Sequence, residues 1–224
     1  MAERLFPNDK DLREAFVVWR KSTKGNTLED VYDKIDSAFL TFARKNKEEM
    51  MKAEEETEKD VLIANPSVCK LIDQRRKEGY NIAFISDMYL NSQFLRKVLQ
   101  RNGCCRQEDA IYVSCEHNAR KDTGLLYKVV RNELHPTEWI HYGDNIRSDI
   151  KMAKSKGIRA IHINTCHNNA ERACSQVSTS MAELARQYRL RHKDNEFAAF
   201  AADFVVSAYL PYVIHVLREA RGMG

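Results

Sequence analysis

Trp139-Ile140-His141-Tyr142-Gly143-Asp144-Asn145-Ile146-Arg147-Ser148-Asp149 is the stretch on which the fold turns. Trp139–Tyr142 is a short apolar run, read as a strand, and it passes straight into Gly143-Asp144. Helical periodicity follows over Ile146–Lys156 and stops at Gly157, and Arg159–Ile163 reads as another short strand. A strand, an acidic turn, a helix and a second strand make one βα unit of a parallel sheet.

The same alternation extends upstream. Ser67–Lys77 is an amphipathic helix with Pro66 near its first position and Gly79 at its end. Asn81–Ile85 reads as a strand, Asn91–Gln100 as a helix closed by Gly103, Ala110–Val113 as a strand and Gly124–Glu133 as a helix. Four strands joined by helices predict an α/β fold with a mainly parallel sheet and right-handed crossovers. Residues 65–165 are therefore expected to form an α/β core.

Residues 1–64 lack strand character. Leu12, Phe16, Val17 and Arg20 fall at helical spacing, and Thr27 with Asp30 forms an N-cap signal ahead of Val31, Ile35, Phe39 and Phe42. Lys45–Asp60 is a solvated helix of Lys and Glu. Residues 166–224 form a helical extension: a polar loop over Thr165–Ser180, a basic helix Met181–Arg191, and an apolar helix pair Phe197–Arg221 broken near Pro211.

Composition narrows the class. The chain has 224 residues, 43% hydrophobic and 30% charged, which suits a folded globular protein. Its net charge of +4 arises from 36 basic and 32 acidic residues that are well mixed, so no nucleic-acid stripe is expected, while small anions remain compatible. Met1–Arg20 has no apolar signal-peptide region, and the most apolar stretch, Phe197–Leu217, is interrupted by Asp203, Pro211 and His215. The six cysteines show no zinc spacing, and free thiols in a reducing cytoplasm are the expectation.

In open parallel sheets, ligands bind beyond the C-terminal strand ends. Ser86-Asp87 follows Ile82-Ala83-Phe84-Ile85, Arg120-Lys121 precedes a helix after the next strand, and Gly143-Asp144 leads to Asp149. A hydroxyl, an ammonium and two carboxylates on one rim make a phosphate-plus-Mg²⁺ constellation. Each has an ordinary reading too. Ser86 and Asp144 suit turns, Lys121 a solvated surface, Asp149 the first turn of a helix. Asp87 suits either the site or a cap, Arg147 reads as a helper of the phosphate or of Asp149, and His141 reads as a sheet residue rather than a ligand. The order in which the group arrives carries the case.

That order resembles the haloacid dehalogenase-like (HAD) hydrolases. Ser86 matches the family's second motif, Lys121 the third, and Gly143, Asp144 and Asp149 the acidic fourth. Ile85-Ser86-Asp87-Met88-Tyr89-Leu90 and His141-Tyr142-Gly143-Asp144-Asn145 are similar to a branch found beside or fused to bacterial glycosyltransferase regions. The resemblance covers roughly residues 12–165. It implies a Rossmann-like parallel sheet flanked by helices, with residues 1–64 as a cap. It also implies phosphate held by Ser86 and Lys121, Mg²⁺ held by Asp144 and Asp149, and a phosphatase acting on a small phosphorylated metabolite such as a sugar phosphate. A glycosyltransferase region is the implied partner.

One motif is missing. The family carries Asp-x-Asp on a central strand between the Ser86 and Asp144 strands; the first Asp attacks phosphorus and the second moves the proton. The nearest string, Asp9-Lys10-Asp11, follows Pro7-Asn8 and reads as the N-cap of a helix from Leu12. A fragment that begins downstream of the strand is expected, in preference to a split protein completed by a second chain or to a degenerate domain. Turnover is expected to be very low. The alternative function is a non-catalytic module that binds an anion or supports a glycosyltransferase. Phe197, Phe200, Phe204, Tyr209 and Tyr212 would be its docking surface, unless these aromatics complete the core.

Overall fold

The computed structural model describes residues 1–163, 179–192 and 195–222. They fall into two compact units, one of residues 1–62 and 72–162, the other of residues 63–71 and 163–224.

In the first unit, α1 (Ala2–Leu5), α2 (Lys10–Ser22), α3 (Leu28–Tyr32), α4 (Ser37–Ala43) and α5 (Lys47–Val61) precede the strands. Local chemistry sets their starts. Asp9 accepts from Leu12 N at 2.9 Å and caps α2, while Thr27 and Asp30 form a reciprocal capping box on α3. These helices bury Phe6, Phe16, Leu28, Val31, Tyr32 and Met50 in one cluster with Leu90, Phe94 and Val98. One charge lies inside this core. Glu54 is 4% exposed and takes hydrogen bonds from Arg20 Nε at 2.8 Å and Tyr32 Oη at 2.8 Å, so its burial is compensated.

Helix α6 (Pro66–Lys77) leads to β1 (Ala83–Ser86), α7 (Ser92–Arg101) and β2 (Ala110–Val113). Then follow α8 (Ser114–His117), α9 (Leu125–Leu134), β3 (Ile140–Gly143), a π-helical segment Ile146–Met152 running into α10 (Ala153–Ser155), and β4 (Arg159–His162). The class is α/β and the strand pairs are parallel: Ser86 pairs with Val113 at the end of β1, and Gly143 with His162 at the end of β3.

Two sequence expectations need correction. The strands do not form one four-stranded sheet but two two-stranded sheets, β1-β2 and β3-β4. Neither β1 nor β3 has a second hydrogen-bonded neighbour among the described strands. The helix over Ile146–Lys156 opens as a π-helix instead of an α-helix. Asp149 folds back at its start: its N–H donates to Asn145 O at 2.8 Å and its Oδ2 accepts from Asn145 N at 3.1 Å.

In the second unit, α11 (Thr179–Arg191), α12 (Glu196–Phe200), a π-helical segment Ala201–Tyr209 and α13 (Leu210–Gly222) pack on one another. Pro211 cannot donate to the carbonyl four residues back, and the path bends by 42° between Val206 and Leu210. Among the described residues, the buried side chains here are Ala182, Ala185, Ala198 and Ala202. Among the described residues the aromatics do not complete a core, contrary to the expectation: Phe197 is 85% exposed and Tyr212 65%. Helices that meet through alanines leave their large side chains outside. Among the described residues no single helix is long and apolar enough to cross a membrane, although Glu196–Val206 with Leu210–Gly222 passes as a bent pair. Most of the Thr165–Ser180 loop, with Cys166 and Cys174, lies outside the described residues. Cys69, Cys105 and Cys115 are free thiols.

Candidate functional site

A cavity of about 430 Å³ opens at the C-terminal ends of β1 and β3. Ser86, Lys121, Asp144 and Asp149 all line it, joined by Asp87, Arg120 and Arg147. The four residues singled out from sequence are thus brought together.

Ser86 is the last residue of β1. The next residue, Asp87, accepts the Lys121 N–H with both carboxylate oxygens, at 2.9 and 3.1 Å, and so fixes the Lys121 backbone beside the strand end. Ser114 holds the same loop, accepting from Met88 N at 3.0 Å. The loop is tied to the N-terminal helices as well, through Leu28 N donating to Tyr89 O at 3.1 Å.

Lys121 directs its ammonium to Asp149 Oδ1 at 2.7 Å. Asp149 is 3% exposed, and His141 Nε2 lies 3.2 Å from the same oxygen. Burial opposes ionisation of Asp149, but the hydrogen bonds from His141 and Lys121 outweigh it and hold the carboxyl far below the usual carboxylate range. Asn145 shapes this turn, its Oδ1 accepting from Arg147 N at 2.9 Å and Ser148 N at 3.0 Å. Gly143 leaves room for it: a Cβ there would meet Asp149 Cβ and Cγ at 2.4 Å. Asp144 is exposed at the rim, with its carbonyl 3.0 Å from His162 Nε2.

A second cavity of about 290 Å³ shares Asp87 and Arg120 with the first. Asn26, Ser114 and Asn118 line it, Asn26 coming from the loop before α3. Asn26 has no local mark that distinguishes it from a solvated residue, while Arg120 reaches both cavities from its place next to Lys121. Asp87 had a signal in its place one residue past a strand end, though its partner lies 34 positions away.

The cavity fits a divalent cation on its charge. Three basic side chains (Arg120, Lys121, Arg147) face four acidic ones (Asp87, Asp122, Asp144, Asp149). Lys121 is engaged by Asp149 and Arg120 by Asp122. A phosphate dianion entering such a site needs further positive charge. No three His, Cys, Asp or Glu side chains converge as a metal-holding group among the described residues, but Mg²⁺ commonly takes only one or two carboxylates beside phosphate and water. No protein-family model matches this chain, and no curated protein does.

Proposed function

We propose that the cavity at the ends of β1 and β3 is the phosphate- and Mg²⁺-holding part of a HAD-like phosphohydrolase site for a small phosphorylated metabolite. The observation that carries the reading is the meeting of Ser86, Lys121 and Asp144 on one cavity, at the ends of two parallel strand pairs. In this reading Ser86 donates its hydroxyl to a phosphoryl oxygen. Lys121, held by Asp149, gives a charge-assisted hydrogen bond to another. Asp144, exposed at the rim of the cavity, would hold Mg²⁺, which would supply positive charge to the bound phosphate. Asp149 serves chiefly to hold Lys121, since its oxygens already accept from Lys121, His141 and Asn145. The polar second cavity suits the hydroxylated organic part of a sugar phosphate.

The nucleophile is the open part. Asp9, the first residue of Asp9-Lys10-Asp11, caps α2. The edges of β1 and β3 that pair with no described strand support a further strand between them, which in this reading carries Asp-x-Asp. The chain as it stands is then expected to bind inorganic phosphate with Mg²⁺ but to turn over p-nitrophenyl phosphate barely above background. Rapid hydrolysis by this chain alone would contradict that assignment, and absence of phosphate binding by the folded protein would contradict the site. A second reading, a non-catalytic module that supports a glycosyltransferase partner, is favoured by the exposed Phe197, Phe200, Phe204, Tyr209 and Tyr212.

A further inference from the structure

We propose that His141 and Tyr127 are positioning residues, which hold the Asp149 carboxylate and through it aim the Lys121 ammonium into the cavity. The inference rests on the phosphate-site reading above. Neither residue lines the cavity, and both are buried, Tyr127 at 1% exposure and His141 at 8%. They lie behind Asp149. His141 Nε2 is 3.1 Å from Tyr127 Oη and 3.2 Å from Asp149 Oδ1, and Tyr127 Oη is 3.0 Å from the Ser148 carbonyl.

The proton positions follow from what each partner can accept. A peptide carbonyl has no proton, so the Tyr127 hydroxyl gives its single proton to Ser148 O. Its oxygen then offers only lone pairs to His141. Asp149 Oδ1 also offers only lone pairs. Nε2 must therefore carry a proton, shared between the two oxygens. The opposite tautomer would set a nitrogen lone pair against a carboxylate oxygen at 3.2 Å. Tyr127 thus selects the form of His141 that can donate to Asp149. Edge-on contacts of the Tyr127 ring with Trp139 and His141, at centroid separations of 5.9 and 5.2 Å, hold the rings in this arrangement.

The consequence reaches the cavity through Asp149. Its Oδ1 is held by His141, its Oδ2 by Asn145 N, and its carbons by the absence of a side chain at Gly143. A carboxylate fixed on three sides fixes in turn the one Lys121 N–H that it accepts, and the other two ammonium protons keep a defined direction for a ligand oxygen.

The test compares His141→Leu, His141→Gln and Tyr127→Phe with the natural chain, by calorimetric titration of inorganic phosphate in the presence of Mg²⁺. His141→Leu should weaken phosphate by about tenfold or more, as losses of such supporting partners do. His141→Gln should recover most of the affinity, because its amide N–H reaches near the Nε2 position. Tyr127→Phe should weaken phosphate by several-fold. A purely structural role would lower thermal stability in the Leu and Gln variants alike, without selective rescue. Phosphate affinity unchanged in His141→Leu, or no better in His141→Gln than in His141→Leu, overturns the inference while leaving the site reading intact. No phosphate binding by the natural chain overturns the site reading itself. Should the variants fail to fold, the ring-nitrogen NMR spectrum of the natural chain decides: a protonated Nε2 on His141 is expected, and a bare Nε2 overturns the inference.

Discussion

The ammonium of Lys121 lies 2.7 Å from Oδ1 of Asp149, although the two residues are 28 positions apart. The contact joins the turn before α9 to the π-helical segment after β3. Side-chain exposures of 13% and 4% leave the pair little screened. Lys121→Ala should therefore remove Mg²⁺-dependent phosphate binding and cost about 3 kcal/mol of stability, because Asp149 stays buried without its main cation. Calorimetry and urea unfolding check the two parts separately. Natural affinity for phosphate in this variant would show that the ammonium does not face the ligand.

Gly143 owes its place to a close approach, not to an unusual backbone angle. Asp149 Oδ2 would lie 2.6 Å from an added Cβ. Gly143→Ala should displace Asp149, cost about 1–3 kcal/mol as overpacking does, and abolish phosphate binding. A folded Gly143→Ala protein with natural affinity would disprove the contact.

Glu54 makes a pH dependence. Burial opposes its ionisation, but hydrogen bonds from Arg20 and Tyr32 hold it below its ordinary value of 4.5. A depressed folded pKa means that the unfolded chain takes up its proton first as the pH falls. The stabilisation is complete above that ordinary value and is lost as the pH drops through the lower folded value. Glu54→Gln should flatten the acid limb of stability below about pH 5 and cost about 1–3 kcal/mol at neutral pH by weakening the hydrogen bonds to Arg20 and Tyr32. Urea midpoints measured across pH 3–7, roughly the span in which carboxylates titrate, test it; an unchanged slope would count against the network.

Asp9 should behave as a cap alone. Asp9→Ala is expected to cost about 1 kcal/mol and to leave phosphate affinity as it was. A selective loss of phosphate binding would restore Asp9-Lys10-Asp11 as part of the site.

What was legible in the sequence was local. The strand cores 83–85 and 110–113 show as apolar runs, and Asp9 and Thr27 cap helices through bonds that span three residues. Ser86, Lys121 and Asp144 could be placed at one rim because strand direction puts the ends of parallel strands together. Pairing is a long-range property, so the division into β1-β2 and β3-β4 left no local sign. The π-helical segment after β3 has no local sequence mark, and the support of Asp149 by His141 and Tyr127 depends on packing between β3 and α9. The exposure of Phe197 and Tyr212 follows from alanine contacts that a count of apolar residues does not reveal.

The central claim is that Ser86, Lys121 and Asp144 grip a phosphate together with Mg²⁺. Calorimetric titration of inorganic phosphate into the natural chain and into Asp144→Asn, each with Mg²⁺ and with a chelator, tests it most directly. Binding to the natural chain with Mg²⁺, lost on chelation and lost in Asp144→Asn, is the expected result. Equal phosphate binding with and without Mg²⁺, or binding that survives in Asp144→Asn, would contradict it.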